Sequence, residues 1–140
     1  RMQFGYLAIK LVGRASENVD EPEWYDLLSE TLAGLDVVTV PIDLIRSWFY
    51  LRYAGLLGRD MNLEIDYEGA PLVAGESYRY DSGEGGLQRS ANGAIASSHI
   101  KLLRLIATRP LSVLVQIGGI AELLPFCLAI AREHAAVDER

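Results

Sequence analysis

Pro41 to Gly58, PIDLIRSWFYLRYAGLLG, constrains the fold of this chain more than any other stretch, because it joins a helix start signal to near-continuous apolar character. Proline suits a first helical turn, where its missing N–H loses nothing, and Asp43 places a carboxylate at the positive end of the helix. Gly58 is a stop. At 100° per residue, Ile42, Leu44, Ile45, Trp48, Phe49, Leu51, Gly55 and Leu56 spread over a wide apolar arc, leaving Asp43, Arg46, Ser47 and Tyr50 as the polar strip. A helix this apolar has to be covered on most sides, so it reads as the centre of a bundle. Arg52 projects from the apolar arc. It reads as a structural, buried arginine paired with a carboxylate or helix-end carbonyls, the functional alternative being a ligand or partner contact.

The rest of the chain supplies the cover. Its 140 residues, half of them apolar, suffice for one domain with a core that needs neither disulfides nor metal. Gln3–Val12 places Phe4, Leu7, Ala8 and Leu11 on one face of a short helix that ends by Gly13. Asp20-Glu21-Pro22-Glu23 opens a second helix with Trp24, Leu27, Leu28, Thr31, Leu32 and Leu35 as its stripe. Val37–Val40 is a short extended link. From Arg59 the composition changes: glycines multiply, long apolar residues thin out, and two short alternating runs appear, Leu63–Tyr67 and Ser77–Tyr80. This segment, 59–96, reads as an insertion, a small hairpin or irregular loop turning at Gly69-Ala70-Pro71 and Asp81-Ser82-Gly83 and held to the bundle by Tyr67, Tyr78 and Tyr80. Ser97 or Ser98 caps a helix through Thr108, Pro110 opens Leu111–Ile117, and Ile120–His134 forms the last helix, with Pro125 in its second turn. The expected fold is therefore mainly α: one domain over 1–134, a bundle of five to six helices with a glycine-rich insertion, and a frayed tail over 135–140.

Composition also narrows function. One cysteine excludes a disulfide framework or a four-cysteine zinc site and fits a reducing, cytoplasmic setting. No apolar run reaches the roughly 18 residues of a spanning helix. Six excess negative charges oppose a nucleic-acid surface covering the whole domain. The opening Arg1-Met2-Gln3 lacks signal-peptide architecture and reads as the start of an excised fragment. Cys127 sits at the centre of an apolar arc as an inert thiol. His99 and His134 lack metal-ligand spacing, and a protonated His134 would suit a helix C-terminus. Gly83-Glu84-Gly85-Gly86 lacks the Lys-Ser/Thr of a phosphate loop and reads as a turn. Glu64, Asp66 and Glu68 alternate along one strand face, more simply solvated than cation-binding. Lys101, Arg104 and Arg109, with Arg46 on the central helix, are the candidate partner-binding cations. No enzyme constellation and no cofactor site emerges.

Four segments in order carry a resemblance: Gly5-Tyr6-Leu7-Ala8 with Leu27, Leu28 and Leu32 downstream; Phe49-Tyr50-Leu51-Arg52 followed by Gly55-Leu56-Leu57-Gly58; Tyr78-Arg79-Tyr80 through Gly85-Gly86-Leu87; and Ser98 opening the terminal helices. In this order the chain resembles the C-terminal helical region of the RecO family of bacterial recombination mediators. The resemblance implies a DNA-repair role without catalysis: binding the partner RecR, in some members receiving the acidic tail of single-stranded-DNA-binding protein, and helping load RecA on single-stranded DNA. Many members carry paired zinc-binding cysteines in the insertion. Here 65–69 and 88–92 contain none, so zinc is not carried over. The family's N-terminal OB-fold, implied to make most of the DNA contact, has no counterpart in these 140 residues. The second reading is a stand-alone helical ligand-binding or regulatory domain with an anion pocket near Arg52.

Overall fold

Pro41, in extended conformation at φ −60° and ψ 130°, starts the central helix, α3, Ile42–Leu56. The computed structural model describes residues 1–17 and 21–137. Around α3 stand α1 (Met2–Ala15), α2 (Pro22–Leu35), α4 (Ser97–Thr108), a single turn α5 (Leu111–Leu114) and α6 (Leu124–Ala135), with one hairpin, β1 (Tyr78–Asp81) and β2 (Gly86–Arg89), in the expected insertion. The protein is a mainly α bundle with a small β-hairpin.

The α3 helix packs most extensively on α6 and also touches α1, α2 and α4. That cover corrects the polar strip: Ser47 and Tyr50 are fully buried. The Ser47 hydroxyl satisfies itself by donating to the Asp43 carbonyl at 2.7 Å. Tyr50 stands edge-on to Phe4, with ring centroids 5.8 Å apart. A periodicity argument assumes one solvent side, and α3 is surrounded.

The first helix buries Phe4, Gly5, Ala8 and Val12, so its inner face is rotated away from Leu7 and Leu11, which are half-buried. It runs past Gly13, which faces open space, and the Ser16 hydroxyl bonds the Val12 carbonyl. A Cβ at Gly5 would lie 3.6 Å from Leu35 and 3.8 Å from Leu32, ordinary packing distances where α1 meets α2. Arg1 clasps the C-terminal end of α2 through the carbonyls of Leu35, Val37 and Val40, a cation at a helix's negative pole. Val37–Val40 is a series of turns and not an extended link.

Neither Ser97 nor Ser98 caps α4. The Ala96 N–H donates to His99 Nδ1 at 3.0 Å, while the Ser97 hydroxyl accepts the Gly75 N–H and pins the insertion. The α5 turn stops at Leu114, short of Ile117, and its first N–H, that of Leu111, is taken by the Glu30 carboxylate at 3.1 Å. α6 begins four residues later than the apolar pattern indicates, which moves Pro125 into the first turn, where it is tolerated. Ala135 is buried within α6, so the helix outlasts the expected start of the tail. Residues 138–140 of that tail, and 18–20 of the link before α2, lie outside the described residues.

In the insertion only the second alternating run becomes a strand. Tyr78 pairs with Arg89 and Tyr80 with Leu87. Leu63–Tyr67 instead folds as a tight turn around one bridge, Ile65 to Pro71, with Asp66 Oδ1 accepting the N–H groups of Glu68 and Ala70 at 2.9 Å. Glu64, Asp66 and Glu68 therefore share no strand face. The hairpin closes through Asp81, whose carbonyl accepts the Gly85 N–H at 2.8 Å, with Gly85 at φ +67°. Tyr78 is buried and Tyr80 half-buried, but Tyr67 faces solvent and bonds Gln88, so two of the three expected tyrosine anchors reach the bundle.

Candidate functional site

Arg52 and Trp48 lie one turn apart on α3, and both aim at the end of α4. The Arg109 carbonyl, left without an intrahelical partner at that end, accepts from Trp48 Nε1 at 3.1 Å and from Arg52 Nη2 at 2.7 Å. The guanidinium also lies 5.1 Å from the Trp48 ring centroid, within cation–π range. Arg52 is half-buried as a residue, less than its place in the apolar arc indicated, although its Nε is enclosed and has no hydrogen-bond partner. Burial lowers its pKa from the ordinary value, and Glu30 partly offsets this. Beside it opens a cavity of about 480 Å³ over Leu27 and Leu51, walled by Glu23, Asp26, Glu30 and Asp60. Four carboxylates around one guanidinium that is already engaged oppose an anionic ligand.

The candidate cations do not converge. Lys101 is exposed on α4. Arg104, one turn on, is committed: its Nε donates to the Leu63 carbonyl at 2.9 Å and stands 3.5 Å from Glu64, clipping the insertion to α4. Arg109 has an exposed side chain, and its carbonyl does the structural work. Arg46 belongs to a separate cavity of about 260 Å³ near the start of α1, its guanidinium 5.9 Å from the Phe4 ring centroid.

The densest polar cluster was not singled out from the sequence. Arg59, just past Gly58, donates from its guanidinium to the carbonyls of His134 and Ala135, at 3.3 and 3.1 Å, satisfying the last turn of α6. In return the Arg59 carbonyl takes His134 Nε2 at 2.5 Å, and Tyr80 Oη lies 2.8 Å from His134 Nδ1. A carbonyl only accepts, so Nε2 carries the hydrogen, and in the neutral ring Nδ1 accepts from the phenol. Burial lowers the pKa of His134, the Arg59 carbonyl partly offsetting it, and burial raises that of Tyr80. The sequence places His134 at a helix end, where a protonated ring would suit the negative pole. Burial instead favours the neutral form. Both ring nitrogens are consumed by structural bonds, so the cluster locks the root of the insertion, its hairpin and the end of α6 together. A histidine 75 residues from its partner leaves no local sequence signal.

Cys127 is buried, and burial pushes its thiol up to about 12. That removes thiolate nucleophilicity. His99 stands edge-on to Phe126 at 4.7 Å, and burial lowers its pKa. Among the described residues no group of three or more His, Cys, Asp or Glu side chains is placed to hold a metal ion, and no helix is long and apolar enough to cross a membrane. No protein family, curated protein or solved structure matches the chain.

Proposed function

We propose that this chain is the helical domain of a RecO-like recombination mediator: a non-catalytic module that binds RecR, receives the acidic tail of single-stranded-DNA-binding protein, and so assists loading of RecA on single-stranded DNA. The observation that carries this reading is the order of segments along the chain, with Phe49–Arg52 and Gly55–Gly58 on the central helix followed by a glycine-rich insertion and then the terminal helices. Two features support a protein-binding role over a DNA-binding one. The chain carries six excess negative charges, and its candidate cations are scattered, one of them held by Glu64 and the Leu63 carbonyl. Few phosphates can be neutralised by such a surface, so affinity for a nucleic acid falls away at physiological salt. The second reading, an anion pocket at Arg52, is opposed by the carboxylate walls of that cavity.

The test is a pair of titrations near physiological ionic strength, one with RecR from the same organism and one with single-stranded DNA. RecR is expected to bind and DNA to bind weakly. Micromolar or tighter DNA binding with no RecR binding overturns the proposal.

A further inference from the structure

The side-chain amide of an asparagine is open to attack by the peptide nitrogen of the residue that follows it, and the side chain of that next residue decides how well the nitrogen is shielded. Asn62 is followed by Leu63, which is buried, and its Oδ1 is held by the N–H groups of Glu64 and Ile65 at 2.9 and 3.0 Å. Asn92 is followed by Gly93, which has no side chain to shield its nitrogen. Asn92 is exposed, and among the described residues its side chain makes no hydrogen bond. Asn18 lies outside the described residues.

The Asn92-Gly93 pair sits where the chain has no slack. Just past β2, residues 90–93 make a turn closed by the Gly93 N–H donating to the Ser90 carbonyl at 3.0 Å. That turn carries the chain across the backbone of Tyr78. On one side the Ser90 N–H donates to the Ser77 carbonyl at 3.0 Å, and on the other two hydrogen bonds of 2.9 Å join Tyr78 to Ile95. Gly93 lies so close to the Tyr78 peptide that a Cβ would collide with its carbonyl. Packing therefore demands glycine at 93, and the same glycine leaves the amide of Asn92 unprotected.

We propose that Asn92 is a site of spontaneous deamidation whose product frees the 90–95 loop from Tyr78. The Gly93 nitrogen, its proton removed by hydroxide, attacks Asn92 Cγ; a C–N bond forms, the bond to the side-chain amide nitrogen breaks, and that nitrogen takes a proton and leaves as ammonia. Water then opens the resulting succinimide. Cleavage at Cγ gives aspartate, and cleavage at the main-chain carbonyl gives isoaspartate, which carries the chain through the side chain and so adds a methylene to the backbone. Either product adds one negative charge. In a loop held at Ser90, Gly93 and Ile95, the added methylene throws Ile95 out of register with Tyr78. While the turn is closed the Gly93 N–H is held by Ser90, so local opening of the insertion sets the rate. The site stands independently of the RecR reading.

The test is to age the folded 140-residue chain at mildly alkaline pH, beside a sample unfolded in urea, and to follow Asn92 and Asn62 by peptide mass mapping with isoaspartate-specific methyl labelling. Asn92 is expected to convert mainly to isoaspartate, faster as hydroxide rises and more slowly than in urea, while Asn62 persists. Hydrogen exchange of the aged protein should show lost protection at Tyr78 and Ile95 with the α3 amides unchanged. A freshly purified Asn92→Asp variant, which has the charge without the methylene, should keep that protection, and Asn92→Gln should prevent the ageing. An Asn92 still intact in the folded chain after the urea sample has converted, or an Asn62 that converts as fast, overturns the site. Aged protein as well protected as fresh protein, or an Asn92→Asp variant that loses as much protection as the aged chain, overturns the release of the loop by the added methylene.

Discussion

Where α3 meets its neighbours, the contact is made of side chains with no access to water: Leu44, Ile45, Phe49 and Tyr50 on α3, Cys127 and Ala131 on α6. Where residues 59–96 lie on the same bundle, the burial is thinner, with Leu63, Tyr78, Leu87 and Ile95 inside, and attachment relies on individually placed hydrogen bonds from Arg59, Tyr80, Ser97 and Arg104. The two regions therefore answer to different perturbations. Apolar burial is spread over many contacts and is indifferent to pH, whereas a hydrogen-bonded strap loses a large share of its hold with one donor and opens locally before the core does.

The largest effect is expected from Phe49→Ala. Phe49 is wholly buried, edge-on to Phe4 at 5.5 Å and stacked on Tyr53 at 5.7 Å. Truncation should destabilise the protein by about 3–5 kcal/mol. In urea, tryptophan fluorescence and far-UV circular dichroism should shift together; a change confined to the insertion would mean that the core is not centred on α3.

Gly93→Ala strikes the insertion. A Cβ there would stand 2.3 Å from the Tyr78 carbonyl oxygen, forcing apart the backbone that pairs Tyr78 with Ile95. The expected loss is about 1–3 kcal/mol, seen as faster hydrogen exchange over 60–95 with the α3 amides still protected. Equal exchange in both regions would dissolve the distinction between them.

Arg52→Ala should be milder, about 1–2 kcal/mol, because Trp48 still donates to the Arg109 carbonyl after the guanidinium is gone. Thermal denaturation checks it, and a loss as large as that of Phe49→Ala would mean that Arg52 holds more than this one carbonyl.

The smallest effect is the most specific. The His134 pKa is lowered in the folded state, so the unfolded chain binds the proton first as pH falls below the usual value of about 6.5. Stability should be complete above that pH and decline on acidification until the folded pKa is passed. Tyr80→Phe leaves Nδ1 without its donor and should cost about 1 kcal/mol at neutral pH. NMR titration of the His134 ring, with limited proteolysis of the insertion at both ends of the range, follows both. A ring that titrates at its free value in the folded protein would contradict its burial.

The central helix was legible because its signals are local: a proline, an acidic first turn, a long apolar arc and a glycine within one stretch. Trp24, Leu27 and Thr31 were legible for the same reason. Ser47 and Tyr50 were misread because residue type reports polarity, and only the tertiary arrangement reports that a fourth side is covered. The α4 cap was misread because serine is the stronger prior, and Ser97 had been drawn away by Gly75. At the candidate site Arg52 was legible as an anomaly in a periodic pattern. The lock of Arg59, Tyr80 and His134 joins three segments distant in sequence, and spacing along the chain carries no trace of it.

The α3–α6 contact also sets an order of events. Ribosomal synthesis completes α3 long before Leu124–Ala135 exists, so α1 and α2 can pack early while one broad apolar side of α3 waits. Its cover arrives only when the chain has been made as far as Ala135, and Arg59 then closes onto carbonyls 75 and 76 residues downstream. A core assembled from such distant segments folds more slowly than one built from neighbouring helices, and it exposes its stickiest surface in the interval. Shortening the chain within α6 should therefore yield aggregation and not a smaller folded protein.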